Sequence, residues 1–475
     1  MYTDLSMIID GREVSGGGRK TEPVINPADE TVLAELPHAT AMDLDTAVAA
    51  SVRGFAVWRN IPAVERAKIL RKAADLIRAR QDRIALILTL EQGKPILESH
   101  QEIGLSVETL DWMADEGRRA YGRVIPAHVP HARVLTQQEP VGPVAAFTPW
   151  NFPALTTLRK ISGALAAGCS LILKAAEETP GTALEIVRAF HEAGVPAGVL
   201  QLVFGVPAEV SGHLLAAPEI RKISFTGSTA VGSQLASVAA RCGKRFTMEL
   251  GGHAPAIIFP DADVSQAASI IAAAKFRNAG QVCVTPSRLY VHDAVYQSFV
   301  EKIAAYARDL KVGEGVGKDT TMGPLANARR LHAMERLTAD ARTHGAQIVT
   351  GGERIGNRGF FFAPTVLAEI TDNAKIMSEE TFGPIAPISR FHDIDEVLSR
   401  ANGLDFGLAG YLYSSNERTI RVVSDRLEVG MVAVNSTTVS LPQAPFGGIK
   451  ASGEGHEGGA EGLEAYMTKK LIVQQ

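Results

Sequence analysis

Apolar residues recurring at three- and four-residue steps dominate the early part of the chain. Ile69, Leu70, Ala73, Leu76, Ile77, Ile84, Ile87 and Leu88 fall on one helical face, which predicts an amphipathic helix running through them. Pro62 suits a first helical position, and Gly93 with Pro95 closes the helix. The helical pattern as a whole covers residues 45–118. Ahead of it, Met7-Ile8-Ile9 and Glu13-Val14 flank Asp10-Gly11, a hairpin signal because both turn residues tolerate positive φ. Residues 124–140 alternate in polarity and carry three prolines, which predicts an extended excursion rather than core.

The pattern then changes to short apolar runs separated by helical periods. Val144-Ala145-Ala146-Phe147, Ser170-Leu171-Ile172-Leu173, residues 199–204 and Lys222-Ile223-Ser224-Phe225 read as strands. Helices are expected at 154–166, 180–192 and 208–216, and a fourth opens at Gly227. Four such units in about a hundred residues predict a nucleotide-binding type of parallel sheet. A second α/β region is expected over 251–446, with apolar runs at 256–259, 289–291 and 431–434. Fixed-period repeats and low-complexity tracts are absent. The glycine-dense segment 447–462 carries Lys450, Glu454, His456 and Glu457 and reads as an ordered functional loop. The final residues, 467–475, predict a strand in need of an edge to pair with.

Composition narrows the class. A chain of 475 residues with 46% hydrophobic and 21% charged residues has the make-up of two or three globular domains, which excludes wholesale disorder. Lys and Arg total 48 against 52 Asp and Glu, and the net charge of −4 offers no basic footprint for nucleic acid or a membrane surface. The longest uncharged stretches, 141–158 and 429–449, contain prolines and polar side chains, so neither is expected to span a membrane. Three scattered cysteines, Cys169, Cys242 and Cys283, give neither a zinc pattern nor a redox pair, and no metal site is expected. The opening residues lack the basic start and apolar core of an export signal, and a cytoplasmic protein is expected.

Several short segments carry chemistry. Phe225-Thr226-Gly227-Ser228 joins a strand to a helix, where free N–H groups suit a pyrophosphate, although Gly227 and Gly232 alone do not make a full dinucleotide fingerprint. Lys174 and Glu177 follow a strand at the end where open α/β sheets bind ligands. Glu249, ahead of Gly251-Gly252, occupies an odd place for a carboxylate unless it is paired or at work. Cys283 follows an amphipathic helix among small and polar neighbours rather than inside an apolar run. Each taken singly is at home in a purely structural role.

Together they form an ordered set. Thr148-Pro149-Trp150-Asn151-Phe152-Pro153, Lys174 with Glu177, Phe225 to Ser228, Glu249 to Gly252, Gly280-Gln281-Val282-Cys283, Glu380-Thr381-Phe382-Gly383-Pro384 and Pro445-Phe446-Gly447-Gly448 occur in the order seen in the aldehyde dehydrogenase superfamily. The chain resembles that family from about residue 20 to its end. The resemblance implies an α/β fold with a Rossmann-type cofactor domain (1–120 and 141–250), an α/β catalytic domain (251–447) and a small β oligomerisation flap (121–140 and 463–475). It makes Cys283 the nucleophile, Asn151 an oxyanion donor and Glu249 the base for hydrolysis of a thioester. It assigns NAD or NADP to Trp150, Lys174, Glu177, Gly227, Ser228, Glu380 and Phe382. The Glu177 carboxylate favours NAD, because it accepts from a free 2′-hydroxyl and repels a 2′-phosphate. A homodimer or homotetramer is implied as well.

Within the family the chain looks most like succinate-semialdehyde dehydrogenases. Residues matching Arg159, Arg277 and Ser440 grip the distal carboxylate in those enzymes, and two guanidiniums with a hydroxyl make a fitting clamp. Pairing of either arginine with a protein carboxylate would remove that role. Two departures stand out. Thr285 occupies the place where many such enzymes carry a second cysteine, so no redox switch is expected, and Lys174-Ala175 replaces the usual lysine-proline pair. Pro286-Ser287-Arg288 also resembles relatives acting on 2-oxoglutarate semialdehyde. A CoA-acylating enzyme and a non-catalytic binding protein on the same scaffold are the competing readings; retention of Cys283, Asn151 and Glu249 speaks against both.

Overall fold

The computed structural model describes residues 2–475. Two parallel-centred sheets organise it, each with its own apolar core. In the first, the strands run in the spatial order Arg12–Val14, Met7–Ile9, Leu200–Val203, Leu171–Lys174, Val144–Phe147, Lys222–Thr226, Arg245–Glu249 and Gly453–Glu454. The middle five are parallel, and the outer ones pair antiparallel. Chain order reverses between Val144–Phe147 and Lys222–Thr226. At such a switch point the loops leaving neighbouring strands diverge and open a crevice at the carboxyl ends. The segments after Phe147, Thr226 and Glu249 all emerge there.

The second sheet runs Gln347–Thr350, Thr365–Ala368, Ile385–Phe391, Pro286–His292, Ala254–Ile258, Ala409–Tyr413 and Met431–Val434, parallel except at its first strand. The two sheets meet in an unusual way. Gly251, Cys283, Glu380, Phe382 and Leu408, which precede strands of the second sheet, line the same cavity as residues that follow strands of the first.

The predicted helix through residues 69–88 is two helices, Ala63–Ala79 and Gln81–Gln92, parted at Arg80 (φ −109°, ψ 12°). Both halves bury apolar residues in one core, so the period continues across the break and hides it. Pro62 sits one residue ahead of the first helical position. Gly93, at φ +97°, ends the second helix as expected. The terminal strand finds its edge within the chain: Met467–Gln474 pairs antiparallel with Arg133–Pro140, and Arg123–Ile125 completes a three-stranded sheet. Among the described residues no helix is long and apolar enough to cross a membrane.

Candidate active site

A cavity of about 1050 Å³ lies between the two sheets. Its walls include Trp150, Asn151, Arg159, Gly227, Ser228, Glu249, Arg277, Cys283, Glu380, Phe382 and Ser440. Of the residues singled out in the sequence, only Lys174 and Glu177 lie outside it. They form an ion pair with each other one strand away from the switch point, still at the carboxyl end of the first sheet.

Cys283 is delivered by a turn at Arg277–Gly280, in which Asn278 and Ala279 both have φ +50° and Gly280 has φ +72°. A Cβ on Gly280 would come within 2.1 Å of the Gly383 carbonyl oxygen, so glycine lets the cysteine loop lie against the segment carrying Glu380 and Phe382. Burial, reinforced by the nearby Glu380, pushes the Cys283 thiol up to about 12. The resting site therefore holds a thiol rather than a thiolate.

Asn151 is buried just ahead of the Pro153–Ala167 helix, and its side-chain amide donates to the Gln281 carbonyl (3.1 Å). Glu249 ends a central strand and is buried, and neither carboxyl oxygen has a hydrogen-bond partner. Burial raises its pKa well above the usual carboxylate range, and the neighbouring Glu457 raises it further. Lys160 pairs with Glu457 and, with Arg159, offsets part of that effect.

Arg159 donates to the Ser440 hydroxyl (2.7 Å), and its guanidinium stands 4.1 Å from the centre of the Phe446 ring. The Arg277 guanidinium lies 5.4 Å from the centre of the Phe152 ring. Among the described residues neither arginine forms an ion pair with a protein carboxylate, so both keep charge available to the cavity.

The other end of the cavity has the character of a dinucleotide site. Ser228 opens the Thr229–Arg241 helix without using its side chain as a cap, which leaves the first N–H groups directed outward. The enclosed Thr226 hydroxyl has no partner. A Cβ on Gly227 would meet the Phe225 ring at 2.5 Å. Trp150 and Phe382 pack edge to face at 5.5 Å, and Phe382 holds φ +43°. Glu380 accepts from the Gly252 N–H (3.0 Å), while burial lifts its pKa to about 7. His253 is buried, bonded to Ser287 (2.8 Å) and to the Ile376 carbonyl (3.0 Å), and turned to structure rather than to the cavity. Among the described residues no group of three or more His, Cys, Asp or Glu is placed to hold a metal ion.

Residues 14–472 match the model of the aldehyde dehydrogenase family. The chain belongs to that family. The dehydrogenase is 45% identical to 4-(hydroxymethyl)benzenesulfonate dehydrogenase of Comamonas testosteroni, an alignment covering 99% of this chain and 98% of that one. It is 43% identical to a succinate-semialdehyde dehydrogenase [NADP(+)] of Escherichia coli K12, over 98% of this chain and 96% of the other. A solved aldehyde dehydrogenase of Bacillus cereus in complex with NAD+ superposes with a TM-score of 0.97 at 35% identity, covering 100% of this chain and 97% of that one.

Sequence reasoning passed over Lys160 and Glu457, the charges closest to Glu249 in this aldehyde dehydrogenase. One signal was available: Lys160, on a helix otherwise composed of apolar and small residues toward the core, is wholly buried and so requires a partner. Glu457 comes from the glycine-dense segment, which the short Gly453–Glu454 strand pins to Arg245–Glu249.

Proposed function

We propose that this aldehyde dehydrogenase oxidises a short aldehyde bearing an anionic group at its far end, with succinate semialdehyde or a related ω-semialdehyde as substrate and NAD as the acceptor. The observation that carries this reading is the pair of unneutralised guanidiniums, Arg159 and Arg277, with Ser440 in the cavity that also holds Cys283. Cys283 forms a bond to the carbonyl carbon. The Asn151 amide and the Cys283 N–H stabilise the resulting oxyanion, each donor being worth about 3–4 kcal/mol in such sites. When bound, the dinucleotide supplies the hydride acceptor that turns this adduct into a thioester on Cys283. Its contacts fall to Lys174 and Glu177 at the adenosine ribose, to Gly227 and Ser228 at the pyrophosphate, and to Trp150, Glu380 and Phe382 near the nicotinamide. Glu249 takes a proton from the water that releases the acid, and its unpartnered oxygens leave room for that water. A base at this position supports hydrolysis over transfer to CoA.

A second reading has its own support. The Comamonas testosteroni relative is named for an aryl sulfonate, and a guanidinium pair recognises a sulfonate as readily as a carboxylate. The anion class is therefore tested directly. Succinate semialdehyde, a formyl benzenesulfonate and neutral aldehydes of matched length are compared with NAD and NADP, on the wild type, Arg159→Ala and Arg277→Ala. Each substitution is expected to lower kcat/KM for anionic substrates by about 10- to 100-fold, from the loss of a charged hydrogen bond of about 1.5–3 kcal/mol. Neutral aldehydes should be unaffected. Equal losses for neutral and anionic aldehydes would overturn the clamp, and formation of acyl-CoA would overturn the hydrolytic role of Glu249.

We also infer that the three-stranded sheet containing the 121–140 and 463–475 segments is the surface on which copies of the chain assemble.

A further inference from the structure

Behind Asn151 lies a buried ion pair with no part in the steps above. Lys94 and Glu102 are both enclosed, and the Lys94 ammonium donates to Glu102 Oε2 (2.6 Å) and to the backbone carbonyl of Asn151 (2.8 Å). The other oxygen of Glu102 accepts from the N–H groups of Ala154 (2.8 Å) and Leu155 (3.2 Å), the open first turn of the helix that begins at Pro153. The Phe152 ring packs 4.0 Å from the same ammonium. Lys94 and Glu102 thus grip both sides of the short segment that presents the Asn151 amide.

The grip extends to the nucleophile loop. The Asn278 side-chain amide donates to the same Asn151 carbonyl (3.0 Å) and to the Gln281 carbonyl (3.2 Å), which in turn accepts from the Asn151 amide (3.1 Å). Gln92 donates to Asn278 Oδ1 (2.8 Å) and accepts from the Lys94 N–H (3.0 Å). One bonded network therefore joins the end of the Gln81–Gln92 helix, the Asn151 segment and the turn that carries Cys283.

We propose that Lys94, together with Glu102, is a positioning residue that fixes the Asn151 amide against Cys283 so that its donor is in place as the oxyanion forms. This rests on the reading of Asn151 as an oxyanion donor. An isolated buried charge is costly, whereas a buried pair that is fully bonded adds geometric definition without needing to add stability. Apart from the bond between them, the hydrogen bonds of the two charged groups all fall on the Asn151 segment or on the helix that follows it. That is the distribution expected of an orienting device.

The test is a double-variant cycle on the full-length enzyme with saturating NAD. Asn151→Ala alone is expected to lower kcat by about 10²–10³-fold. Lys94→Met should lower kcat by about tenfold or more, leave the dissociation constant for NAD unchanged, and cause little further loss when added to Asn151→Ala. Because Lys94→Met strands the Glu102 charge, the neutral pair Lys94→Met with Glu102→Gln is measured alongside, and the same non-additive loss is expected of it. Multiplicative losses in the combined variants, or weakened NAD binding with kcat intact, would overturn the positioning role and leave Asn151 as donor. An unchanged kcat in Asn151→Ala would instead overturn the oxyanion reading, and this role with it.

Discussion

Two groups that must lose a proton during turnover, Cys283 and Glu249, are held protonated at rest by their enclosure. Their active forms are the ionised ones, so raising the pKa of either moves activity to higher pH. The expected profile of kcat/KM is a limb rising with pH from about pH 6 to about pH 9, without an optimum near neutrality. Steady-state rates for a neutral aldehyde would show it free of changes in substrate charge, and a profile falling across that range would contradict the assignment. Glu249→Gln separates the two protons further. The first turnover should still release about one equivalent of NADH per site, while steady-state kcat falls by about 10²–10⁴-fold. Loss of the burst amplitude would mean that Glu249 acts before the thioester rather than on it. At this scale Cys283, Asn151 and Glu249 were legible because each sits in a short segment with its own composition. Lys160, Glu457, Lys94 and Glu102 were not, because their meaning lies in partners that are 8 residues away for one pair and most of the chain away for the other. A single charge in a helix says nothing of what it faces.

Helices and strands were read with fair success from period alone, since a buried face imposes its repeat on the sequence whichever element carries it. The break at Arg80 was hidden for the same reason: two helices that share a core keep a common period. Strand order was out of reach, because the reversal that opens the crevice depends on which strands become neighbours. So was the approach of the second sheet by the amino ends of its strands, which puts the nucleophile before a strand rather than after one. The turn that makes this possible can be tested through Gly280. Its positive φ and its closeness to the Gly383 carbonyl both oppose a side chain. Gly243 supplies the control, with φ +63° in an exposed turn and nothing near its missing Cβ. Gly243→Ala is expected to cost about 1–2 kcal/mol from backbone strain alone. Gly280→Ala should cost more in denaturant unfolding and should also lower kcat, because the displaced loop carries Cys283. Equal effects of the two substitutions would show that the contact with Gly383 does not hold the loop.

The whole molecule leaves one surface unexplained by its own fold. The sheet formed by Met467–Gln474, Arg133–Pro140 and Arg123–Ile125 projects Tyr121, Val124, Leu471 and Val473, with Val124 90% exposed and Leu471 61% exposed. Apolar side chains on a small sheet with two free edges invite association, and a sheet of this size gains little from standing alone in water. The terminal strand spends its inner edge on Arg133–Pro140, so the outer edges and the apolar faces are what a second copy would cover. Light scattering at micromolar concentration should give a mass two or four times that of one chain. Val124→Lys combined with Leu471→Lys should reduce the assembly while the spectroscopic signature of the fold persists, since neither side chain reaches either core. A wild-type monomer at that concentration would dispose of the assembly role. If the charged variant stays assembled, the contact must lie on another face, and the exposed valines and leucine would need a different partner.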